Sequence, residues 1–394
     1  MRIAIDGRTI QPRRSGVGQY AEFLVRSLLK IDRENNYILF LAKPNDTLEA
    51  PNLTKILIEG YERMILNRVW ENLILPRYVQ TYSIDLYFSP AFALPFLPRL
   101  GRCIRWLPLP RRIHGFCNAD RKLKYVVTIH DLIAYIHPEY FTPKMRMWTK
   151  LFVPNALKLA DKVIVVSDTT KRDLIKLFGV ESEKVKVVWP WFDEKFHPVT
   201  DPESLAEVRE RYSLPPKFIL YLGTIEPRKN IVGLAEAYSL LPPHIQHEFS
   251  LVLAGGMGWY ADTIVAQLQA LHTHGSVTMV DYVEDRHLPA LYSLASLFAF
   301  PSFYEGFGSP PLEAMSCGTP VITSNVSAIP DVVGDAALLV NPHDVREISA
   351  AMEKVLSDGD LQSTLRERGF ERLKLFDQRK NAKDTLAVFE SVMA

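Results

Sequence analysis

Apolar residues along this chain gather into short unbroken runs, separated by longer segments in which they recur every third or fourth position. In the first half the runs are Arg2–Ile5, Tyr37–Leu41, Lys55–Ile58, Leu86–Phe88, Val126–Ile129, Lys162–Val166 and Val185–Val188. Runs without polar alternation, such as KVIVV, suit strands buried on both faces. Segments such as YAEFLVRSLLKI and TKRDLIKLF carry helical spacing between them. This alternation predicts a parallel sheet with helices on both sides.

The pattern restarts after Pro198, with strands expected at Lys217–Leu222, Ser250–Leu253, Val277–Val280, Leu297–Phe300 and Pro320–Thr323. Helical spacing follows at Ile231–Tyr238 and Leu288–Ser296, and Leu361–Met393 reads as mostly helical. The seam between the halves, WPWFDEKFHP, is broken by Pro190 and Pro198, which interrupt regular structure. The boundary is therefore placed at 197/198. A chain of 394 residues exceeds what one core usually serves. Residues 90–124 break the rhythm with proline, arginine and aromatics; so long a connection is often functional.

Composition adds exclusions. At 47% hydrophobic and 23% charged the chain is neither disordered nor fibrous. No apolar stretch nears the ~20 residues of a membrane helix. MRIAIDGRTI reads as a strand and has no signal-type apolar core, so a cytoplasmic location is expected. Three cysteines without a CxxC pair fit a reducing compartment. The net charge of +1 hides an imbalance: residues 1–197 hold 31 Lys+Arg against 20 Asp+Glu, a surplus of +11, and the remainder is at −10. A basic first half attracts an anionic partner. Its local clusters are Arg99–Lys124 and KMRMWTKLFVPNALKLADK, the latter mixing cations with Met, Trp and Leu as interfacial segments do. A core-facing helix with a solvated basic side would read the same way. No nucleic-acid motif accompanies the cations.

Candidate chemistry concentrates where strands give way to helices, the place at which open α/β sheets bind ligands. FYEGFGSPPLE puts Glu305 and Glu313 around a turn containing Gly306 and Gly308. Glycines let a backbone approach a ligand closely, a helix start suits phosphate, and carboxylates accept from vicinal hydroxyls. Glu313 is equally readable as an ordinary first-turn glutamate. KFILYLGTIEPRKN sets Gly223 after a strand and Arg228 and Lys229 at the next helix, a fork and a point charge suited to a diphosphate. Gly16-Val17-Gly18 opens a helix near the N-terminus, a weak phosphate-loop signal. His130-Asp131 ends the strand of KYVVTIHDL; it reads as a ligand group, a structural histidine, or a metal-type pair lacking further histidines nearby. Asp358-Gly359-Asp360 matches a DxD by letter, yet an N-cap is the simpler reading.

Taken together, SGVGQY, TIHDL, VIVVS, YLGTIEPRKN, LVLAGG, FPSFYEGFGSPPLEAMSCGTPVITSN and GDAALLVNPHD resemble the retaining glycosyltransferases of family 4. Only about residues 40–120 lack a counterpart. The resemblance implies the GT-B fold: two Rossmann-like α/β domains facing across a cleft, 1–197 on the acceptor side and 198–377 on the donor side, with a helix over 378–394 packed back on the first. It implies that Glu305 contacts the donor sugar. Gly306, Phe307, Gly308 and Ser309 would line the sugar and diphosphate pocket, and Glu313 would bind ribose. Arg228 and Lys229 would neutralise the diphosphate in place of a metal, so that no cofactor is needed. His130 would orient the sugar, Gly16 and Gly18 would approach the diphosphate or acceptor, and Val283 would hold the base by its main chain. Thr224 stands where many members carry an arginine, which shifts charge onto Arg228.

The implied reaction moves a hexose, glucose or mannose, from a UDP- or GDP-sugar to a hydroxyl of a glycan or lipid-linked saccharide, with retention, in cell-envelope or exported polysaccharide assembly. Peripheral contact with an anionic membrane would bring enzyme and acceptor together. The alternative is a non-enzymatic two-lobed protein that binds a sugar or nucleotide sugar. A nicotinamide dehydrogenase fits poorly, because SGVGQY lacks the third glycine.

Overall fold

The computed structural model describes residues 1–11, 16–58, 75–92, 94, 123–190, 192–271 and 275–393. Most of the basic stretch 99–124 lies outside them.

The chain divides into two compact units. The first holds Met1–Tyr135, Pro143–Pro190 and Gln378–Ala394; the second holds Ile136–Thr142 and Trp191–Asp377. The change of unit thus falls before the 197/198 boundary drawn from the prolines. The reason is packing: Phe196 sits edge-on to Tyr292 with ring centres 5.9 Å apart, and the Val199 N–H donates to Ser293 Oγ at 3.0 Å. Both contacts hold the seam within the second unit.

The first unit is a seven-stranded sheet of β1 (Arg2–Asp6), β2 (Asn36–Leu41), β3 (Leu53–Leu57), β4 (Leu86–Ser89), β5 (Lys124–Ile129), β6 (Lys162–Val165) and β7 (Val185–Val187). Its order is β3-β2-β1-β4-β5-β6-β7, and every pairing is parallel. The central strands are buried on both faces, Ile3, Ala4 and Ile5 included, as their unalternated sequences require. Helix Asp168–Phe178 shows how local chemistry bounds an element. Ser167 Oγ accepts from the Thr170 N–H at 3.1 Å, and Gly179 closes the other end at φ 62°. Helix Gln378–Ser391 packs on Gly16–Ile31. Its Phe389 lies against Phe88 at 5.1 Å, and its Asn381 Nδ2 donates to the Trp189 carbonyl at 2.5 Å.

The second unit has six parallel strands: β8 (Phe218–Leu222), β9 (Ser250–Ala254), β10 (Val277–Val280), β11 (Leu297–Phe300), β12 (Val321–Ser324) and β13 (Leu338–Val340). Their order is β10-β9-β8-β11-β12-β13. Every expected strand forms, with ends displaced by about a residue or two. Strand β13 is the addition, a three-residue edge element too short to signal itself by periodicity. The Asp358 carboxylate caps a helix, accepting from the Leu361 N–H at 2.9 Å, which is the N-cap reading of that triplet.

In both sheets the winding reverses between neighbouring strands: β1 and β4 in the first, β8 and β11 in the second. Ligands of open α/β sheets bind beyond the carboxyl ends of the strands at such a reversal.

Candidate active site

The loops after β8 and β11 leave the second sheet side by side, and they are tied together before any charged group is considered. The Phe303 N–H donates to the Arg228 carbonyl at 2.9 Å. Asn230, held at φ 56°, sends its side-chain amide to the carbonyls of Pro301 at 3.1 Å and Pro342 at 2.6 Å. One left-handed asparagine thereby joins the loops after β8, β11 and β13, a conformation asparagine tolerates better than most residues. The Glu305 N–H is held by Ser327 Oγ at 3.0 Å.

On this frame four charges meet. Lys229 Nζ donates to Glu305 Oε1 at 2.6 Å, and Arg228 Nη1 donates to Glu305 Oε2 at 2.8 Å. Arg228 Nε faces Glu226 Oε1 at 2.5 Å. The Lys229 ammonium also lies over the Phe300 ring, 4.8 Å from its centre. Glu226, Lys229 and Glu305 are 2%, 7% and 7% exposed. Burial pushes the Glu305 carboxyl up, but Arg228 and then Lys229 outweigh it and hold the group at about 2 against an ordinary 4.5. Glu226 goes the other way, because burial exceeds the pull of Arg228 and Lys229. The Lys229 amine is lowered by burial and by neighbouring Arg228.

The turn that follows is shaped by Gly308, at φ 94°. A Cβ there would come within 2.3 Å of Ile329 Cδ1, so conformation and space both demand glycine. Gly308 caps helix Ser309–Ser316. Pro310 and Pro311 carry no N–H, so this helix start presents fewer donors than a generic one. Ser309 is exposed, whereas the Phe307 side chain is buried edge-on to Phe376 at 5.8 Å and offers only main chain to a ligand. Gly306 is buried beside it. Gly223 has the Tyr221 hydroxyl 2.9 Å from where a Cβ would stand.

Glu313 stands apart from the four-charge cluster. Tyr292 Oη donates to its Oε2 at 2.8 Å. Burial raises this carboxyl to about 7, against the opposing pull of Tyr292 and Lys195. Val283 follows β10 with its side chain buried, so only its backbone is on offer.

The remaining sequence candidates lie in the first unit. His130 directly follows β5, with Nε2 2.7 Å from the Pro90 carbonyl and its ring edge-on to Tyr20 at 4.8 Å. A carbonyl only accepts, so Nε2 bears the hydrogen. Burial lowers the imidazole below 6.5, opposed by the Pro90 bond and by Asp131, which keeps the ring neutral at pH 7. Gly16 begins helix Gly16–Ile31 and has open space where a Cβ would be; Gly18 is buried one residue on from Val17. Among the described residues no group of three or more His, Cys, Asp or Glu is arranged to hold a metal.

Sequence reasoning passed over Glu226, Asn230, Ser327 and Tyr292. A signal existed for Glu226 alone: a glutamate two residues before Arg228, at a strand end otherwise rich in cations. It also missed the buried pair of Asp6, the last residue of β1, and Arg8, 2.6 Å apart.

Comparison with known proteins places the chain in a family. Residues 14–196 match the model of Glycosyltransferase Family 4, and residues 207–372 match that of Glycosyl transferases group 1. The chain is similar to O-antigen chain mannosyltransferase B of Escherichia coli, 36% identical over 280 residues, covering 70% of this chain and 73% of that protein. It is also similar to the serotype-specific mannosyltransferase WbdA of Escherichia coli, 36% identical over 245 residues, which is 60% of this chain and 29% of WbdA. Among solved structures, sucrose-phosphate synthase from Thermosynechococcus elongatus superposes with a TM-score of 0.76 at 23% identity, over 99% of this chain and 98% of that one. That likeness shows the GT-B fold. With the two α/β sheets, the strand-end cluster and these matches together, the chain belongs to the group 1, family 4 glycosyltransferases.

Proposed function

We propose that the protein transfers a mannosyl residue from a nucleotide-diphosphate sugar to a glycan hydroxyl, with retention, in the assembly of a cell-surface polysaccharide. The observation that carries the reading is the Arg228–Glu305–Lys229 constellation at the winding reversal of the second sheet. The choice of mannose and of pathway follows the names of the similar O-antigen chain and serotype-specific mannosyltransferases.

The costly event is departure of the nucleoside diphosphate as negative charge develops on it. Preorganised charges aimed at that group are effective because they need no reorganisation during the reaction. Arg228 and Lys229 would serve as those charges, in a metal-independent site. They are already fixed by Glu305 and by the Phe303–Arg228 backbone bond. Glu305 would accept from sugar hydroxyls, Glu313 from the ribose, and the backbone at Gly306 to Ser309 would line the diphosphate. His130 would orient the sugar, as the family resemblance implies. The leaving phosphate would take the acceptor proton as the hydroxyl attacks from the same face.

The acceptor is proposed to be a glycan or lipid-linked saccharide, approached through the first unit. Helix Pro143–Leu159 buries Phe152, Val153, Ala156 and Leu157 while Met147 and Leu151 stay exposed beside Lys144 and Lys150. That surface suits peripheral contact with anionic lipid.

Incubation with GDP-mannose or UDP-glucose and an oligosaccharide primer tests the reading. An extended product with the donor's anomeric configuration is expected. Tight donor binding without transfer would return the protein to the binding class, and an inverted linkage would remove the retaining mechanism.

A further inference from the structure

Two carboxylates share one guanidinium in this site. Glu226 Oε1 meets Arg228 Nε and Glu305 Oε2 meets Arg228 Nη1, with Lys229 completing the set on Glu305. The four charges sum to zero; Glu226, Lys229 and Glu305 are buried and Arg228 is partly so. A nucleotide-diphosphate sugar brings two negative charges to the same two cations. The site must then hold an excess of negative charge at low dielectric, or one carboxylate must take up a proton.

The two carboxylates are unequal. Glu305 is gripped by both cations. Glu226 has a single ion pair among the described residues, to Arg228, and the incoming anion would weaken that pair. Among the described residues no other group facing Glu226 forms an ion pair with it. From β8 the Tyr221 hydroxyl donates to the Thr224 carbonyl at 3.1 Å. From the loop after β9, Gly258 brings only main chain against the Glu226 Cβ. Lys229 is committed to Glu305 at 2.6 Å.

We propose that donor binding is coupled to protonation of Glu226: as the diphosphate takes over Arg228 and Lys229, the Glu226 carboxylate takes a proton from solvent and remains as a neutral acid against the guanidinium. The upward displacement of Glu226 in the unliganded site points the same way. The inference rests on the donor site proposed above. It adds a positioning residue whose charge state sets the pH range in which donor binds.

Titration calorimetry of GDP-mannose and UDP-glucose in buffers of different ionisation enthalpy reads this directly, because their diphosphate diesters do not titrate near neutrality. Wild type should take up as much as about one proton per nucleotide sugar bound. Its Kd should rise by up to about tenfold per pH unit on the alkaline side. Glu226→Gln should abolish uptake, flatten the pH profile and bind more tightly than wild type at alkaline pH. Binding to wild type without uptake would overturn the coupling, as would equal uptake by a folded Glu226→Gln. If that variant does not fold, the wild-type uptake and the pH profile of Glu226→Asp decide. If neither nucleotide sugar binds wild type, the donor-site reading itself fails and the coupling goes with it.

Discussion

The main-chain N–H of Phe303 donates to the carbonyl of Arg228 at 2.9 Å, so the residue that supplies the guanidinium is anchored by the loop that supplies its carboxylate partner. The charged side chains therefore inherit their positions from backbone geometry. Substituting a side chain should separate chemistry from scaffolding, since the loop–loop bond survives it.

Lys229→Ala should lower kcat/KM by about 10²–10³-fold, the usual scale for removing one preorganised electrostatic contact. Glu305 retains Arg228 in this variant, so part of its compensation persists. Breaking a buried pair still costs roughly 3 kcal/mol. Turnover and urea midpoint measured together test both, and wild-type turnover would remove Lys229 from the chemistry.

Glu305 gives stability a defined acid limb. Its folded-state value of about 2 lies below the ordinary 4.5, so the unfolded chain binds the extra proton between those limits. The contribution is complete above 4.5 and is lost as pH falls toward 2. Urea midpoints should drop across that window, and the drop should be shallower in Glu305→Gln. An equally steep acid limb in the variant would assign the loss elsewhere.

Glu313 has the opposite sign. Its carboxyl is raised to about 7, so the folded state holds the proton more tightly and stability declines as pH rises from 4.5 to 7. Glu313→Gln should melt several degrees above wild type at alkaline pH and close to it at pH 5 (about 0.5 unit above the ordinary carboxyl value). Donor affinity should fall in the same variant, because an amide accepts ribose hydroxyls less strongly than a carboxylate.

Gly308→Ala meets two separable obstacles: φ 94° and the Ile329 Cδ1 atom 2.3 Å from the new Cβ. A loss of about 2–4 kcal/mol is expected. Adding Ile329→Ala should return the steric part and leave the conformational part, which a double-mutant cycle in urea would show as a favourable coupling.

Met147→Glu with Leu151→Glu should abolish co-sedimentation with anionic vesicles at low salt while leaving the melting temperature unchanged, since both side chains are exposed. Equal sedimentation of wild type and variant would remove this helix from any membrane contact.

Most strands were legible because they are short apolar runs flanked by polar punctuation, and β13 escaped because three residues cannot establish a period. The cations and both glutamates of FYEGFGSPPLE could be named from strand-to-helix transitions. Their pairing could not, because Lys229 and Glu305 are 76 positions apart in sequence and only the sheet order brings β8 beside β11. The pairing also separates the two glutamates: Glu305 joins both cations, whereas Glu313 turns to a tyrosine hydroxyl. Asn230 and Ser327 were invisible for another reason. Each acts through a left-handed backbone, which single-residue propensity does not announce for asparagine or serine.

Helix Gln378–Ser391 belongs to the first unit although the whole of β8 to β13 is translated before it. On the ribosome, then, the earlier sheet must wait with the faces around Phe88 and Trp189 uncovered until the later one has been made. Excising residues 1–190 as a separate fragment would leave that gap permanently, whereas a circular permutant that moves 378–393 ahead of Met1 would let the amino-terminal half finish on its own.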